Sequence, residues 1–298
     1  RGYPVIGIIG PRQSGKTTLV RELFPGLYYT NLENQDMQRY AIEDPRGFLT
    51  ENKGGMIIDE FQRVPALLSY IQTQVDAVGT PCQFVLTGSQ NFLMMEQISQ
   101  SLAGRIGLFT LLPFSMNELY TVHTVPDKMN ELLYQGFFPR IHNASLDPKR
   151  FFQNYVQTYV ERDVRQLKNI GNLVAFQNFL KLCAGRTGQI VNLSSLGDDA
   201  GISHNTVKEW LSVLETSYII HPLRPFYRNF HKQIVKSSKL YFLDTGLLCF
   251  LLGIEKPSEI DTHFLKGGIF ENFVINEIIK YHLNMGTRPN LFFWRDRR

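Results

Sequence analysis

Over the first third of the chain, apolar residues fall in short dense runs separated by polar turns. Val5-Ile6-Gly7-Ile8-Ile9 is rich in β-branched residues and has no polar alternation, so it predicts a strand buried on both faces. Leu27 to Leu32, Gly54 to Glu60 and Phe84 to Thr87 predict three more strands, and Ile106 to Leu112 a fifth. Between them the pattern turns helical. Thr17 to Phe24 stops at Pro25-Gly26, a polar stretch runs up to Asp44-Pro45, Pro65 to Val78 closes at Gly79-Thr80-Pro81, and Asn91 to Leu102 follows. Strands alternating with helices predict a parallel, doubly wound α/β sheet. Ligands of such sheets lie at the carboxyl ends of the strands.

After residue 113 the pattern changes. Pro113 to Leu167 predicts mainly helices, with Ser115 as a cap, and Glu161 and Arg165 at i, i+4 form a surface ion pair. Helices over Ala175 to Ala184 and Leu193 to Ala200, a turn at Gly201, an N-cap at Ser203 and a helix from His204 to Thr216 come next. Tyr218-Ile219-Ile220 and Lys239 to Leu243 then read as the two strands of a wing, giving a winged helix-turn-helix. A last amphipathic helix begins at Phe270-Glu271 and leads to a strand at Leu291. Four parts are expected: 1–113, 114–170, 171–246 and 247–298, the last being the start of an incomplete α/β domain. The chain opens directly on its first strand and closes on what reads as a strand just beginning, so sequence is expected to be missing at both ends.

Composition narrows the class without choosing a function. The 298 residues are 43% hydrophobic and carry a net charge of +4, which suits a globular chain and gives little support to nucleic-acid binding by charge alone. Cys82, Cys183 and Cys249 are far apart and form no C-x-x-C pair, which points to neither zinc nor a disulfide framework and fits a reducing cytoplasm. No apolar run reaches membrane-spanning length and no signal peptide is visible, so no membrane partner is expected.

The strongest chemical signal is Gly10-Pro11-Arg12-Gln13-Ser14-Gly15-Lys16-Thr17-Thr18, which reads G-x-x-x-x-G-K-[ST] between a strand and a helix. Glycines let successive backbone N–H groups curl inward around phosphate oxygens, and the helix N-terminus adds positive potential. Lys16 then reaches the β- and γ-phosphates, and Thr17 ligates Mg2+. Ile57-Ile58-Asp59-Glu60 is an apolar strand ending in two acids: Asp59 holds Mg2+ through water, and Glu60 polarises an attacking water. At the end of the fourth strand, Ser89 is the first choice for sensing the γ-phosphate, with Thr87 and Asn91 behind it, and a helix N-cap is an equal reading. Arg105 is either a surface arginine or a cation for the γ-phosphate of its own or a neighbouring subunit. In a DNA-binding winged helix, His204, Asn205, Thr206 and Lys208 lead the helix into the major groove. Arg224, Arg228, His231, Lys232, Lys236 and Lys239 give the wing a basic face, although winged helices also serve protein contacts.

Together with Ile58-Asp59-Glu60-Phe61-Gln62-Arg63-Val64-Pro65, Leu86-Thr87-Gly88-Ser89 and Ser101-Leu102-Ala103-Gly104-Arg105, the glycine loop resembles one prokaryotic family. These are the AAA+-type ATP-binding proteins with an uncharacterised C-terminal domain, and the likeness runs through the whole chain. The resemblance implies an AAA-like core and ATP, rather than GTP, as ligand. Gly136-Phe137-Phe138-Pro139-Arg140 is similar to the lid motif of related signal-transducing ATPases, which implies Pro139 against the adenine ring and Arg140 as a second sensor; a plain helix break is the alternative. In the resembling family the last part opens a restriction-endonuclease-like domain, to which Glu271 or Glu277 supplies one carboxylate while its other acids lie beyond Arg298. The fragment is therefore expected to be inactive as a nuclease. The leading expectation is a Mg2+-dependent ATPase that couples nucleotide state (ATP or ADP) to lid or winged-helix movement. The alternatives are an ATP-switched DNA-binding regulator with little turnover, or an ATP-gated nuclease in the full-length protein.

Overall fold

The computed structural model describes residues 2–52, 54–89, 98, 100–122, 125–160, 172–226 and 237–294; for Ser89, Tyr159 and Val160 it describes the backbone alone. The chain divides into two compact units, Arg1–Leu111 and Leu112–Arg298.

The first unit is built on five parallel strands: β1 (Val5–Gly10), β2 (Tyr28–Asn31), β3 (Met56–Asp59), β4 (Phe84–Ser89) and β5 (Ile106–Thr110), in the order β2-β3-β4-β1-β5. All six β1 residues and all four of β3 are buried, as a sheet covered on both faces requires. Its described helices include α1 (Lys16–Leu23), α2 (Gln35–Glu43), α3 (Pro45–Thr50) and α4 (Leu67–Val78), and the helix expected over Asn91 to Leu102 lies mostly outside the described residues. The polar stretch is thus two helices, because Asp44 ends one and caps the next: its carboxylate accepts from Gly47 N, with Pro45 at the first position. The order places β4 between β1 and β3, so three strand ends share one edge.

The second unit is mostly helical. Its described α-helices are α5 (Met116–Val122), α6 (Met129–Gln135), α7 (Pro139–Asn143), α8 (Pro148–Tyr155), α9 (Leu173–Ala184), α10 (Leu193–Ala200), α11 (His204–Thr216), α12 (Thr245–Leu251) and α13 (Lys266–Asn284). Ser115 does cap α5: its hydroxyl accepts from Glu118 N, while the Glu118 carboxylate accepts from Ser115 N, a reciprocal capping box. After α9–α11, strand β6 (Ile220–Pro225) pairs antiparallel with β7 (Lys239–Phe242), and β8 (Phe292–Phe293) adds parallel to β6. The first hairpin strand therefore starts later than its apolar run predicts, because Tyr218 takes a left-handed turn (φ 57°) directly after α11. One hydrophobic core joins residues from Leu119 to Phe273, including Phe137, Phe152, Trp210, Phe242 and Leu248. Its residues come from all three parts expected beyond residue 113.

Candidate functional site

The geometry starts from strand register. Gly10 pairs with Ser89, and Thr87 pairs with Asp59, so the glycine loop after β1 and the acids after β3 flank the end of β4. Gly10 has φ +152°, and a Cβ there would come within 2.1 Å of the Leu111 carbonyl oxygen, so only glycine fits. Gly15 (φ +93°) caps α1 and turns the loop into it. Lys16 is buried, and its ammonium donates to the carbonyls of Gly10 (3.2 Å) and Pro11 (2.6 Å), which holds it across the loop. Ser14 Oγ is buried without a hydrogen-bond partner among the described residues. Arg12 and Gln13 are half-buried in the loop, Pro11 is buried, and Thr18 points outward.

Asp59 is the centre of the site. Thr17 Oγ1 donates to its Oδ2 at 2.7 Å, and Tyr29 Oη donates to the same oxygen at 2.9 Å. Thr87 Oγ1 and the Glu60 N–H donate to Oδ1. Glu60 follows in a left-handed conformation (φ 55°), which turns its side chain away from the strand direction. Burial pushes its carboxyl above the ordinary 4.5, while the charges of Arg12 and Lys16 hold it down. Gln62 Nε2 donates to Glu60 Oε2 at 2.5 Å. The structure thus brings together Gly10 to Thr17, Asp59, Glu60 and Thr87. It adds Tyr29 and Gln62, which sequence reasoning missed. The signal for Tyr29 was its parity: it pairs with Ile57, two residues before Asp59, so it sits diagonally across from the acid on one face.

Other candidates fall elsewhere. Ser89 ends β4 beside Gly10, but its side chain, like Asn91, lies outside the described residues. Arg105 is corrected as a ligand of its own chain's phosphate loop. It precedes β5, whose first residue pairs with Val5 at the far end of β1, roughly 16 Å from Gly10 at strand rise. There it makes a two-pronged ion pair with Asp76 (2.5 and 2.8 Å). Pro139 is buried at the first position of α7, where its fixed φ suits a helix start, and Arg140 beside it is exposed. His204, Asn205 and Lys208 are exposed at the start of α11, with Thr206 half-buried and its N–H capped by Ser203. Lys232, Arg228, His231, Lys236, Glu161 and Arg165 lie outside the described residues. Arg224 is exposed on β6. Glu271 accepts from Lys239 (2.8 Å) and Tyr241 (2.7 Å), and Glu277 from Met116 N (2.7 Å) and Lys280 (3.0 Å), so both proposed nuclease acids are bonded within their own unit.

A parallel sheet with a glycine loop after β1, a lysine and hydroxyl at the following helix, and an acidic end on a nearby strand defines the class: a P-loop nucleotide-binding domain. Residues 2–120 match a family model described as an AAA domain, and residues 126–258 match one described as a domain of unknown function. The first unit is thus similar to AAA-type P-loop domains over the matched residues. It is 28% identical over 298 residues, 98% of its length, to uncharacterised proteins of Mycobacterium bovis and Mycobacterium tuberculosis, and spans 65% of theirs. A RuvB variant from Thermotoga maritima aligns with a TM-score of 0.34 and 20% identity, covering 74% of this chain and 82% of that one. A signal-transduction ATPase with numerous domains and a tetratricopeptide-repeat sensor, from Pyrococcus horikoshii, gives 0.27 and 13%, covering 95% and 46%. Likeness at that level carries no weight here. Among the described residues no helix is long and apolar enough to cross a membrane.

Proposed function

We propose that the edge formed by the glycine loop, Asp59 and Glu60 binds ATP with Mg2+ and hydrolyses it. The observation that carries this reading is the 2.7 Å bond from Thr17 to Asp59, which joins the loop hydroxyl and the strand-end acid at one point, beside Lys16 and Glu60. The residues fit the ligands. The Ser14 hydroxyl, buried and without a partner among the described residues, belongs to a loop whose glycines take positive φ, which suits a phosphate oxygen as its missing partner. A carboxylate and a hydroxyl are hard oxygen donors suited to Mg2+. No group of three or more His, Cys, Asp or Glu gathers as a metal cage among the described residues, and Mg2+ held by one carboxylate and phosphates needs none.

Bound there, Mg2+ neutralises charge on the phosphate oxygens. Lys16 exchanges its two carbonyl partners for the β- and γ-phosphates, a stronger charge-assisted contact. Glu60 takes the proton of the attacking water, and Gln62 steadies one of its oxygens. Thr87 and Ser89 lie at the strand end between loop and acids, as a γ-phosphate sensor requires. Nucleotide state then drives movement in the helical second unit. Phosphate release from ATP by the purified chain, with Mg2+ and with EDTA, tests the reading. We expect release only with Mg2+ and its loss in Thr17→Val; equal release by Thr17→Val would contradict it.

A second reading concerns residues 172–242. Three helices followed by an antiparallel hairpin, with His204, Asn205 and Lys208 exposed at the start of α11, support a winged helix that takes duplex DNA. Fluorescent duplex binding should then weaken steeply with salt and be lost in Lys208→Glu; binding unchanged by that reversal would rule this surface out.

A further inference from the structure

We propose that Tyr29 is a positioning residue of the nucleotide site: its hydroxyl holds the Asp59 carboxylate in the orientation a divalent cation needs, and its ring ties that strand end to the helix bearing Thr17. This inference rests on the ATPase reading above.

Three observations meet at this side chain. Its hydroxyl donates to Asp59 Oδ2 at 2.9 Å, the oxygen that also accepts from Thr17 Oγ1 at 2.7 Å. Its ring lies under the guanidinium of Arg21, 4.9 Å from the ring centroid, and Arg21 belongs to α1, the helix that begins at Lys16 and Thr17. Its backbone is fixed by pairing with Ile57 on β3. Tyr29 therefore touches both elements that must keep register for one cation to meet Thr17 and Asp59 together.

Hydrogen-bond capacity explains why a second donor matters. The Thr17 hydroxyl has one proton and two lone pairs, so it can keep donating to Asp59 while its oxygen faces a cation. A carboxylate held by that one mobile donor on Oδ2 would turn as the threonine adjusts. The Tyr29 donor comes instead from β2, whose backbone is paired along its length with β3, the strand that carries Asp59. Thr87 and the Glu60 N–H fix the other oxygen. A phenol ordinarily loses its proton only near pH 10, so it is a donor at working pH. A plain packing role is the competing account, since the ring also borders the core of β1, β3 and β4. Tyr29→Phe separates the two: it keeps the ring over the core and under Arg21, and removes only the hydroxyl.

The experiment is equilibrium binding of a fluorescent ATP analogue to the parent chain and to Tyr29→Phe, each with Mg2+ and with EDTA, alongside melting temperatures. In the parent, Mg2+ should tighten binding. In Tyr29→Phe that Mg2+-dependent gain should fall by roughly 10-fold, the lower range for removing an outer-shell partner of a metal ligand, while binding in EDTA stays the same. Retention of the full gain would overturn the inference. So would an equal loss with Mg2+ and with EDTA, accompanied by a lower melting temperature, because that is the mark of a packing residue. A parent chain without any Mg2+-dependent gain would overturn the reading of the site itself, and this inference with it.

Discussion

Two places in this chain draw a lysine and carboxylates out of water, and they direct their hydrogen bonds differently. At the edge of the first sheet, the polar side chains serve one another and the loop: Thr17, Tyr29 and Thr87 all bond Asp59, Gln62 bonds Glu60, Lys16 lies across two loop carbonyls, and Ser14 Oγ is left over. In the second unit, the polar side chains serve distant backbone. Asp244 accepts from Phe137 N (2.8 Å) and Leu247 N (2.9 Å), Asn272 bonds both N and O of Phe242, and Lys280 donates to Phe114 O (2.7 Å) with its ammonium 3.9 Å from the Phe137 ring centroid. Gly136 is tied into the same cluster, because a Cβ there would meet Asp244 Oδ1 at 2.4 Å. A buried polar cluster that ends on backbone groups holds a fold together. One whose donors and acceptors converge on each other beside a loop can exchange partners for a ligand.

The same substitution made in both places sharpens this contrast most. Lys16→Met should cost roughly 100- to 1000-fold in turnover, because the cation over the γ-phosphate is lost. Its melting temperature without nucleotide should stay near the parent's, because the lysine bonds the carbonyls of its own loop rather than joining distant elements. Lys280→Met should do the reverse. It leaves Glu277 and the Phe114 carbonyl without their cation in a nearly closed environment, and should lower stability by about 2–4 kcal/mol in urea unfolding while turnover of the folded fraction is unchanged. If the two variants show the same profile, the distinction between exchangeable and fixed clusters fails.

A smaller effect is expected from pH. Burial raises the Glu60 carboxyl, and a general base works only when ionised. The acidic limb of kcat/KM should therefore lie above 4.5, the ordinary glutamate value, with activity lost as pH falls through it. A limb at or below 4.5 would remove Glu60 from that role. The smallest effect is expected at Arg105. Its partner Asp76 is exposed on α4 and Arg105 is half-buried, a surface pair of small worth, so Arg105→Ala should leave melting temperature and turnover nearly unchanged as long as each chain acts alone. A loss of turnover that appears only as protein concentration rises would show the arginine acting on a neighbouring subunit.

What could be read from the sequence follows the range of the interactions. The glycine loop and the Asp59-Glu60 strand end are local motifs, so their residues were legible, and the parallel sheet followed from alternating runs. The ends of α10 and α11 were legible too, because Asn192 and Ser203 cap them with their own side chains. Tyr29 and Thr87 bond Asp59 across strands, through a register that no local pattern states. Of the two readings of Arg105, its place favours the surface arginine for its own chain, because a residue before a parallel strand sits at the edge opposite to residues that follow one. Asp244 and Lys280 carried no motif, and the Phe137 N–H and Phe114 carbonyl they bond lie more than 100 residues away in sequence.

The measurement closest to the central claim is bound nucleotide and phosphate release on the same samples of parent and Glu60→Gln, with ATP and Mg2+. The predicted result is ATP held by Glu60→Gln as well as by the parent, with release lowered at least ~100-fold, the smaller part of what a general base contributes. Release at the parental rate from Glu60→Gln would contradict the account of how this edge turns ATP over.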